Sequence, residues 1–375
     1  MRAIAIATFV ALVGYAACQH INHTVPAPRY RFDLDTPPEK RWDNIVKDWD
    51  KKMLQKFIIE TFRDYLPPVV VPLLETVARA ADPLIPSPYR QEMEGFARAT
   101  DVKLADVIAL NLEYEFMTFC TSIVAQDANG KIWHGRNMDY GFVDVLRNMT
   151  IIADVTKGGK VIYTGTTFIG FSGMLTGMRP NGFTITVDAR GDSGSKTDWW
   201  KNVLEAFNAL FLGGASFSSY LPREIFESET NFHDALHKLA TRQIIAPVYY
   251  IIGGVKAGEG AVVTRDRVKA RDVWLLDPNN GTWFLVETNY DHWLPPPKSD
   301  DRRDPAVKHM NAIGQSKISG KTIYEVMSTP PVLRSATVYT FVGSAADPSS
   351  YATYVRYVFL PTLQPWPESS EDASL

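Results

Sequence analysis

A change of hydrophobic period at residue 120 constrains this chain more than any other feature. Before it, from Glu39 to Glu115, apolar residues recur at helical spacing. Trp42, Ile45, Val46, Trp49, Met53, Phe57 and Ile58 mark one face of an amphipathic helix. Prolines at 67, 68 and 72 break the run, an apolar stretch covers 69–81, and helices are predicted over 89–99 and 104–116. After residue 120 come short runs rich in Val, Ile, Thr and aromatics, separated by Gly, Asn and Asp. Strands are predicted over 121–126, 132–137, 150–155, 160–167 and 183–187, then 248–253, 261–264, 273–276, 283–288 and 337–342. Helices are predicted over 199–212, 232–241, 306–312 and 321–327, with residues 19–38 Pro-rich and irregular and the tail from 361 disordered. Two blocks of strands with helices between and after them imply an α+β chain of two sheets with helices outside.

The N-terminus bears on compartment. Met1-Arg2 followed by an apolar run to Ala17 has the layout of a secretory signal peptide, with small residues for cleavage after Cys18. A buried N-terminal element is the alternative reading. Asn22, Asn148 and Asn280 each begin an Asn-X-Thr glycosylation triplet, as suits a chain in the secretory pathway. With 39 basic against 42 acidic residues and no long basic run, nucleic acid is not an expected partner.

The chain has two cysteines, Cys18 and Cys120. Loss of residues 1–18 would leave Cys120 as a lone thiol, either an inert core residue or a reactive one. Its surroundings favour reactivity. Asn129-Gly130 is a strong signal for a two-residue type I′ turn, which pairs Ala128 with Lys131 and sets Cys120 opposite Asp139 with Arg136 close by. A slip of one residue would turn every side chain to the other face. Arg136 and Asp139 lie an odd number apart, so a regular strand points them to opposite faces; both reach Cys120 only through a bulge or bend, for which Asn137 and Gly141 are candidates. Nearby positive charge lowers a thiol pKa, and the thiolate is the nucleophile.

The segments Phe119-Cys120-Thr121-Ser122-Ile123-Val124-Ala125-Gln126-Asp127 and His134-Gly135-Arg136-Asn137-Met138-Asp139-Tyr140 resemble the family of N-acylethanolamine-hydrolysing acid amidase and acid ceramidase. So do Thr164-Gly165-Thr166-Thr167-Phe168-Ile169-Gly170, Val248-Tyr249-Tyr250-Ile251-Ile252-Gly253-Gly254 and Glu287-Thr288-Asn289-Tyr290-Asp291-His292-Trp293, with Asp300-Asp301-Arg302-Arg303 beyond them. The resemblance spans most of residues 28–345. It implies an N-terminal nucleophile hydrolase: an αββα sandwich of two stacked, mainly antiparallel sheets with an N-terminal helical α-subunit.

By the same resemblance, a secreted, glycosylated precursor cuts itself in acid between Phe119 and Cys120. The products are an α-subunit (19–119), inhibitory until cleavage, and a catalytic β-subunit (120–375) that stay together as a heterodimer. Cys120 then carries both nucleophile and α-amine base, Asp139 holds the amine, Arg136 supports substrate and site, and Asn289 donates to the oxyanion. Arg302, Asp188 and Arg190 are supporting candidates. The family pattern after the Gly-Phe-Thr strand is Glu-Arg; here Val187-Asp188-Ala189-Arg190 puts Ala189 where the Glu is expected, with Asp188 adjacent but pointing to the other face of the strand.

The implied substrate is an N-acylethanolamine such as palmitoylethanolamide, met at a peripheral lysosomal membrane surface, with the apolar face of residues 65–85 as lipid contact or, alternatively, core. Ceramide hydrolysis by an acid ceramidase, and a secreted lipid-binding paralogue weakened in catalysis, are the rival readings. No cofactor is expected. His233 and His237 stand four apart on one helix but lack the zinc-protease Glu and a third ligand, so no metal is expected either.

Overall fold

The computed structural model describes residues 22–65, 76, 79, 81–113, 118–141, 143–190 and 215–358. The signal segment, most of the apolar 65–85 stretch, the 199–212 helix and the tail from 361 lie outside the described residues.

Fourteen described strands form two sheets. The six-stranded sheet runs β1 (Asn22–Pro26), β14 (Asp347–Val358), β13 (Thr337–Ser344), β4 (Ile132–Tyr140), β3 (Thr118–Gln126), β12 (Phe284–Glu287). The eight-stranded sheet runs β11 (Ala270–Leu275), β10 (Gly260–Arg265), β9 (Val248–Gly253), β8 (Phe183–Ala189), β7 (Thr176–Arg179), β6 (Lys160–Phe168), β5 (Thr150–Lys157), β2 (Arg29–Asp33). Every pairing is antiparallel except β2 with β5.

The expectation of an irregular 19–38 is corrected. That stretch supplies an edge strand to each sheet, β1 on β14 and β2 on β5, separated only by Ala27 and Pro28. Edge positions tolerate proline because one side of the strand needs no ladder partner. The segment before residue 120 is therefore helical only after these two strands: α1 (Asp43–Val46), α2 (Lys51–Tyr65), α3 (Tyr89–Thr100) and α4 (Leu104–Glu113). The long helix expected through Trp42 and Ile58 is broken between α1 and α2, where Asp50 Oδ1 caps the second by accepting from the N–H of Lys52 (2.8 Å). Further helices are α5 (Val143–Met149), α6 (Tyr220–Ser228), α7 (Phe232–Thr241), α8 (Arg303–Ile313) and α9 (Gly320–Met327). Strands β7 and β14 and helices α5 and α6 went unpredicted. His233 and His237 both lie on the exposed face of α7.

Alternation along β3 separates the layers. Ile123 and Ala125 pack outward with Ala306 and Met310 of α8 and Ile323, Val326 and Met327 of α9. Val124 points inward and clusters with Tyr249, Ile251 and Val262 of the other sheet. On the far side Tyr163 of β6 stacks on Phe226 of α6, at 5.1 Å between centroids. The order is helices, sheet, sheet, helices, the αββα sandwich that the resemblance implies.

Candidate active site

The hairpin that carries Cys120 is offset by one residue from the expected register. Cys120 faces Met138, and Phe119 faces Asp139, with no shift along the ladder. The cause lies in the turn. Asp127 Oδ1 accepts from the N–H groups of Asn129 (2.8 Å) and Lys131 (3.0 Å), and the Asp127 N–H donates to the Lys131 carbonyl (2.9 Å). The loop is thus three residues long, Ala128-Asn129-Gly130, with Gly130 at φ +86° closing it.

The offset decides the chemistry of each face. Cys120, Ser122, Arg136 and Met138 point between the sheets, while Thr121, Asn137 and Asp139 point toward the α8/α9 side. Neither Asn137 nor Gly141 makes a bulge in this hairpin. Arg136 meets the thiol directly; Asp139 does not.

Cys120 is fully buried. Arg136 Nη2 donates to its Sγ at 2.9 Å and to the Val187 carbonyl at 2.8 Å, while Nη1 donates to the Leu175 carbonyl at 2.7 Å. Burial pushes the thiol up to about 12, against the pull of Arg136.

The backbone of Cys120 is gripped from the opposite face. Its N–H donates to Asn289 Oδ1 (2.8 Å), and its carbonyl accepts from Arg302 Nη1 (2.6 Å). Arg302 Nη2 donates to the same Asn289 oxygen (2.7 Å), and Asp300 takes two further bonds from the guanidinium, each 2.8 Å. Asp139 accepts from Thr337 Oγ1 (2.7 Å) and from Arg302 Nη1 (3.4 Å). Burial raises its carboxyl pKa, and Arg302 and Thr337 oppose the rise. Asn289 Nδ2 donates to the Ala189 carbonyl at 2.7 Å. An arginine, an asparagine and a carboxylate thus surround the bond expected to be cut.

Asp188 reaches the thiol side from the facing sheet. Ser122 Oγ donates to its Oδ1 at 2.9 Å, and Arg136 Nε lies 3.9 Å from the same oxygen. Arg190 is elsewhere: it grips Asp291 through two bonds (2.8 and 2.9 Å) and Asp266 through a third (2.6 Å), fastening β8 to the loop that carries Asn289. Asn148 and Asn280 are exposed; the side chain of Asn22 lies outside the described ones.

Sequence reasoning missed Ser122, Thr337 and Asp300 as partners. Ser122 was open to discovery, since it stands two residues from Cys120 on one strand and shares its face. Thr337 was not, because it arrives through pairing of β13 with β4.

The comparisons follow the same division of the chain. A family model described as linear amide C–N hydrolases, choloylglycine hydrolase family, matches residues 120–320 and begins at Cys120. One described as the beta subunit of N-acylethanolamine-hydrolyzing acid amidase matches 25–83, within the stretch termed the α-subunit above. N-acylethanolamine-hydrolyzing acid amidase of Cavia porcellus is 44% identical over 329 residues, covering 88% of this chain and 90% of that protein. The chain belongs to the acid amidase and acid ceramidase family.

Within that family the Oryctolagus cuniculus acid amidase is 42% identical, over 88% of this chain and 89% of its own, and acid ceramidase of Homo sapiens 35%, over 88% and 86%. A solved Caenorhabditis elegans acid amidase orthologue superposes at a TM-score of 0.57 with 34% identity. It covers 64% of this chain and 100% of that one. Membership makes this chain an amidohydrolase of linear amides, and the family model of those hydrolases begins at the buried thiol held by Arg136.

Proposed function

We propose that this chain is a lysosomal cysteine amidase that cuts itself before Cys120 in acid and then hydrolyses N-acylethanolamines, such as palmitoylethanolamide, to fatty acid and ethanolamine. The observation that carries the reading is the double hold on Cys120: its sulfur on Arg136 and its backbone nitrogen on Asn289. Cutting the Phe119–Cys120 bond converts that nitrogen into an α-amine already seated beside the nucleophile. An α-amine titrates near 8, close enough to working pH to take and return a proton.

The reaction runs in two stages. The amine takes the thiol proton, and sulfur attacks the amide carbon. Asn289 turns its Nδ2 from the Ala189 carbonyl toward the developing oxyanion. Ethanolamine leaves with the proton, and water releases the acyl group from the thioester. Arg136 stabilises the thiolate, while Asp139 and Arg302 keep the amine in place. His134 cannot serve as base: burial pushes its imidazole down to about 3, so it stays neutral between Thr184 and Thr186.

Identity to the acid amidases (41–44%) exceeds that to the acid ceramidases (34–35%), which supports the ethanolamide over ceramide. The heterodimer of 19–119 and 120–375 is supported by β1 and β2, which tie the first subunit into both sheets of the second. Membrane contact through residues 65–85 is peripheral; no described helix is long and apolar enough to cross a bilayer. Exposed Asn148 and Asn280 carry the glycan expected of a lysosomal precursor.

The test is intact mass and N-terminal sequencing of secreted protein before and after incubation at about pH 4.5, well below the α-amine pKa of roughly 8. Turnover of palmitoylethanolamide and N-palmitoylsphingosine is measured alongside. A new terminus at Cys120 with faster ethanolamide turnover is expected. An uncut chain that binds lipid would instead establish the non-catalytic paralogue.

A further inference from the structure

Self-cleavage raises a question that the finished enzyme does not. The uncut chain has no α-amine at residue 120, so its response to acid has to come from another group close to the thiol.

Five side chains meet on the inner faces. Cys120 and Ser122 come from β3, Arg136 from β4, and Thr186 and Asp188 from β8 of the facing sheet. Arg136 donates to Sγ at 2.9 Å and holds its Nε 3.9 Å from Asp188 Oδ1. Arg136 Nε and Asp188 Oδ2 are both buried without a hydrogen-bond partner. Ser122 Oγ aims the carboxyl through a 2.9 Å bond and is itself 2.9 Å from Thr186 Oγ1, which is bound in turn by His134 (3.0 Å). Cys120, Ser122, Arg136 and Asp188 are all fully buried, so salt and water barely screen their charges.

We infer that Asp188, aimed by Ser122, is a positioning residue that shares the charge of Arg136 with the Cys120 thiol and yields it to the thiol on taking up a proton. This rests on the self-cleaving reading above.

The other charged and titratable groups around Asp188 leave it as the counter-charge of Arg136. Asp139 lies on the opposite face of β4 and is paired with Arg302. Glu287, opposite Ser122 on β12, has a carboxyl that burial raises well above its ordinary value, which favours the neutral form. Burial likewise raises the phenol of Tyr339. Ala189 brings no carboxylate where the family pattern has Glu.

Ionised, Asp188 draws on Arg136 and repels a thiolate; both effects raise the cost of forming one. Burial, opposed by Arg136, places this carboxyl at about 7. Acid therefore removes the negative charge that competes with the sulfur. In the cleavage that follows, a bond forms from Sγ to the Phe119 carbonyl carbon and the bond from that carbon to the Cys120 nitrogen breaks. The thiol proton ends on the departing nitrogen, and water then hydrolyses the thioester to free the Phe119 carboxyl and the Cys120 thiol.

The experiment follows the rate of processing of the secreted full-length chain from about pH 4 to about pH 8 for wild type, Asp188→Asn and Ser122→Ala. Wild type is expected to slow as pH rises through about 7. Asp188→Asn, permanently neutral, is expected to lose that dependence and to process about tenfold faster than wild type at about pH 8, a unit above the carboxyl's pKa. Ser122→Ala, lacking a hydrogen bond to the charged form, is expected to move the limb to higher pH. A limb for Asp188→Asn that coincides with wild type overturns the inference. So does a folded, secreted Asp188→Asn chain left uncut at every pH, which would make Asp188 a base. Should Asp188→Asn not be secreted, Ser122→Ala decides: an unmoved or lowered limb overturns the inference. Failure of wild type to produce the Cys120 terminus in acid would instead sink the underlying reading.

Discussion

Glu92 of α3 and Arg223 of α6 join the two halves of the chain through a pair of hydrogen bonds, Nη1 to Oε2 at 2.6 Å and Nη2 to Oε1 at 2.7 Å. Arg41 adds a third at 2.7 Å to Oε1, so one fully buried carboxylate binds a guanidinium from each half of the chain. Removing one member of a buried pair costs about 3–5 kcal/mol because the others keep their charge without a partner. Glu92→Gln is expected to lower the melting temperature and, in the processed enzyme, to release the smaller chain at lower denaturant than in wild type. Size-exclusion chromatography in graded urea reads the effect; chains that separate at the same urea concentration would contradict it.

Cys120 is fully buried in the uncut fold, and the proposed mechanism makes it the nucleophile after cleavage. A thiol-directed reagent should therefore label the native precursor slowly, the urea-unfolded precursor fast, and the processed enzyme with complete loss of turnover. Cys120→Ala should remain uncut and inactive yet melt within a few degrees of wild type. Turnover that survives stoichiometric labelling would remove Cys120 from the mechanism.

Arg302 ties together the Cys120 carbonyl, Asn289, Asp139 and Asp300. Arg302→Ala in a Cys120→Ala background leaves Asp139 buried without its cation, at a cost of about 3–5 kcal/mol. Arg302→Lys should recover only part of it, since an ammonium cannot reproduce the planar fork that bonds Asp300 twice. Thermal unfolding of the three uncuttable chains checks the order.

The pH dependence of stability has an unusual sign at Asp188. Its folded pKa, about 7, lies above the ordinary 3.8, so between these values the folded chain holds a proton that the unfolded chain has lost. Stability contributed by this group is therefore full below about 3.8 and falls as pH rises toward about 7. The slope is at most about 1.4 kcal/mol per pH unit. Cys120→Ala should be less stable at about pH 7 than at about pH 4.5, and adding Asp188→Asn should flatten the difference. Parallel curves of unfolding free energy against pH for the two chains would refute this.

Much of the fold was legible along the chain. The strand over 248–253 and the helix over 232–241 coincide with β9 and α7, because a continuous β-branched and aromatic run and a capped 3.6-residue period are local signals. Strands β1 and β2 were hidden because their stability comes from partners far along the chain, Tyr354–Val358 and Ile152–Thr156. The chemistry was partly legible too: Cys120, Arg136, Asp139 and Asn289 were identifiable by motif and do converge.

Sequence alone pointed to the residues expected near position 120, Arg136 and Asp139 through the local hairpin and Asn289 and Arg302 through the order of the family motifs. Tertiary structure decided what each one touches. An Asx turn at Asp127 displaced the hairpin by one position, and a displacement of one position in a strand exchanges its faces. That exchange gave Arg136 to the thiol and Asp139 to the backbone side of Cys120, and sheet stacking then brought Asp188 across to share Arg136.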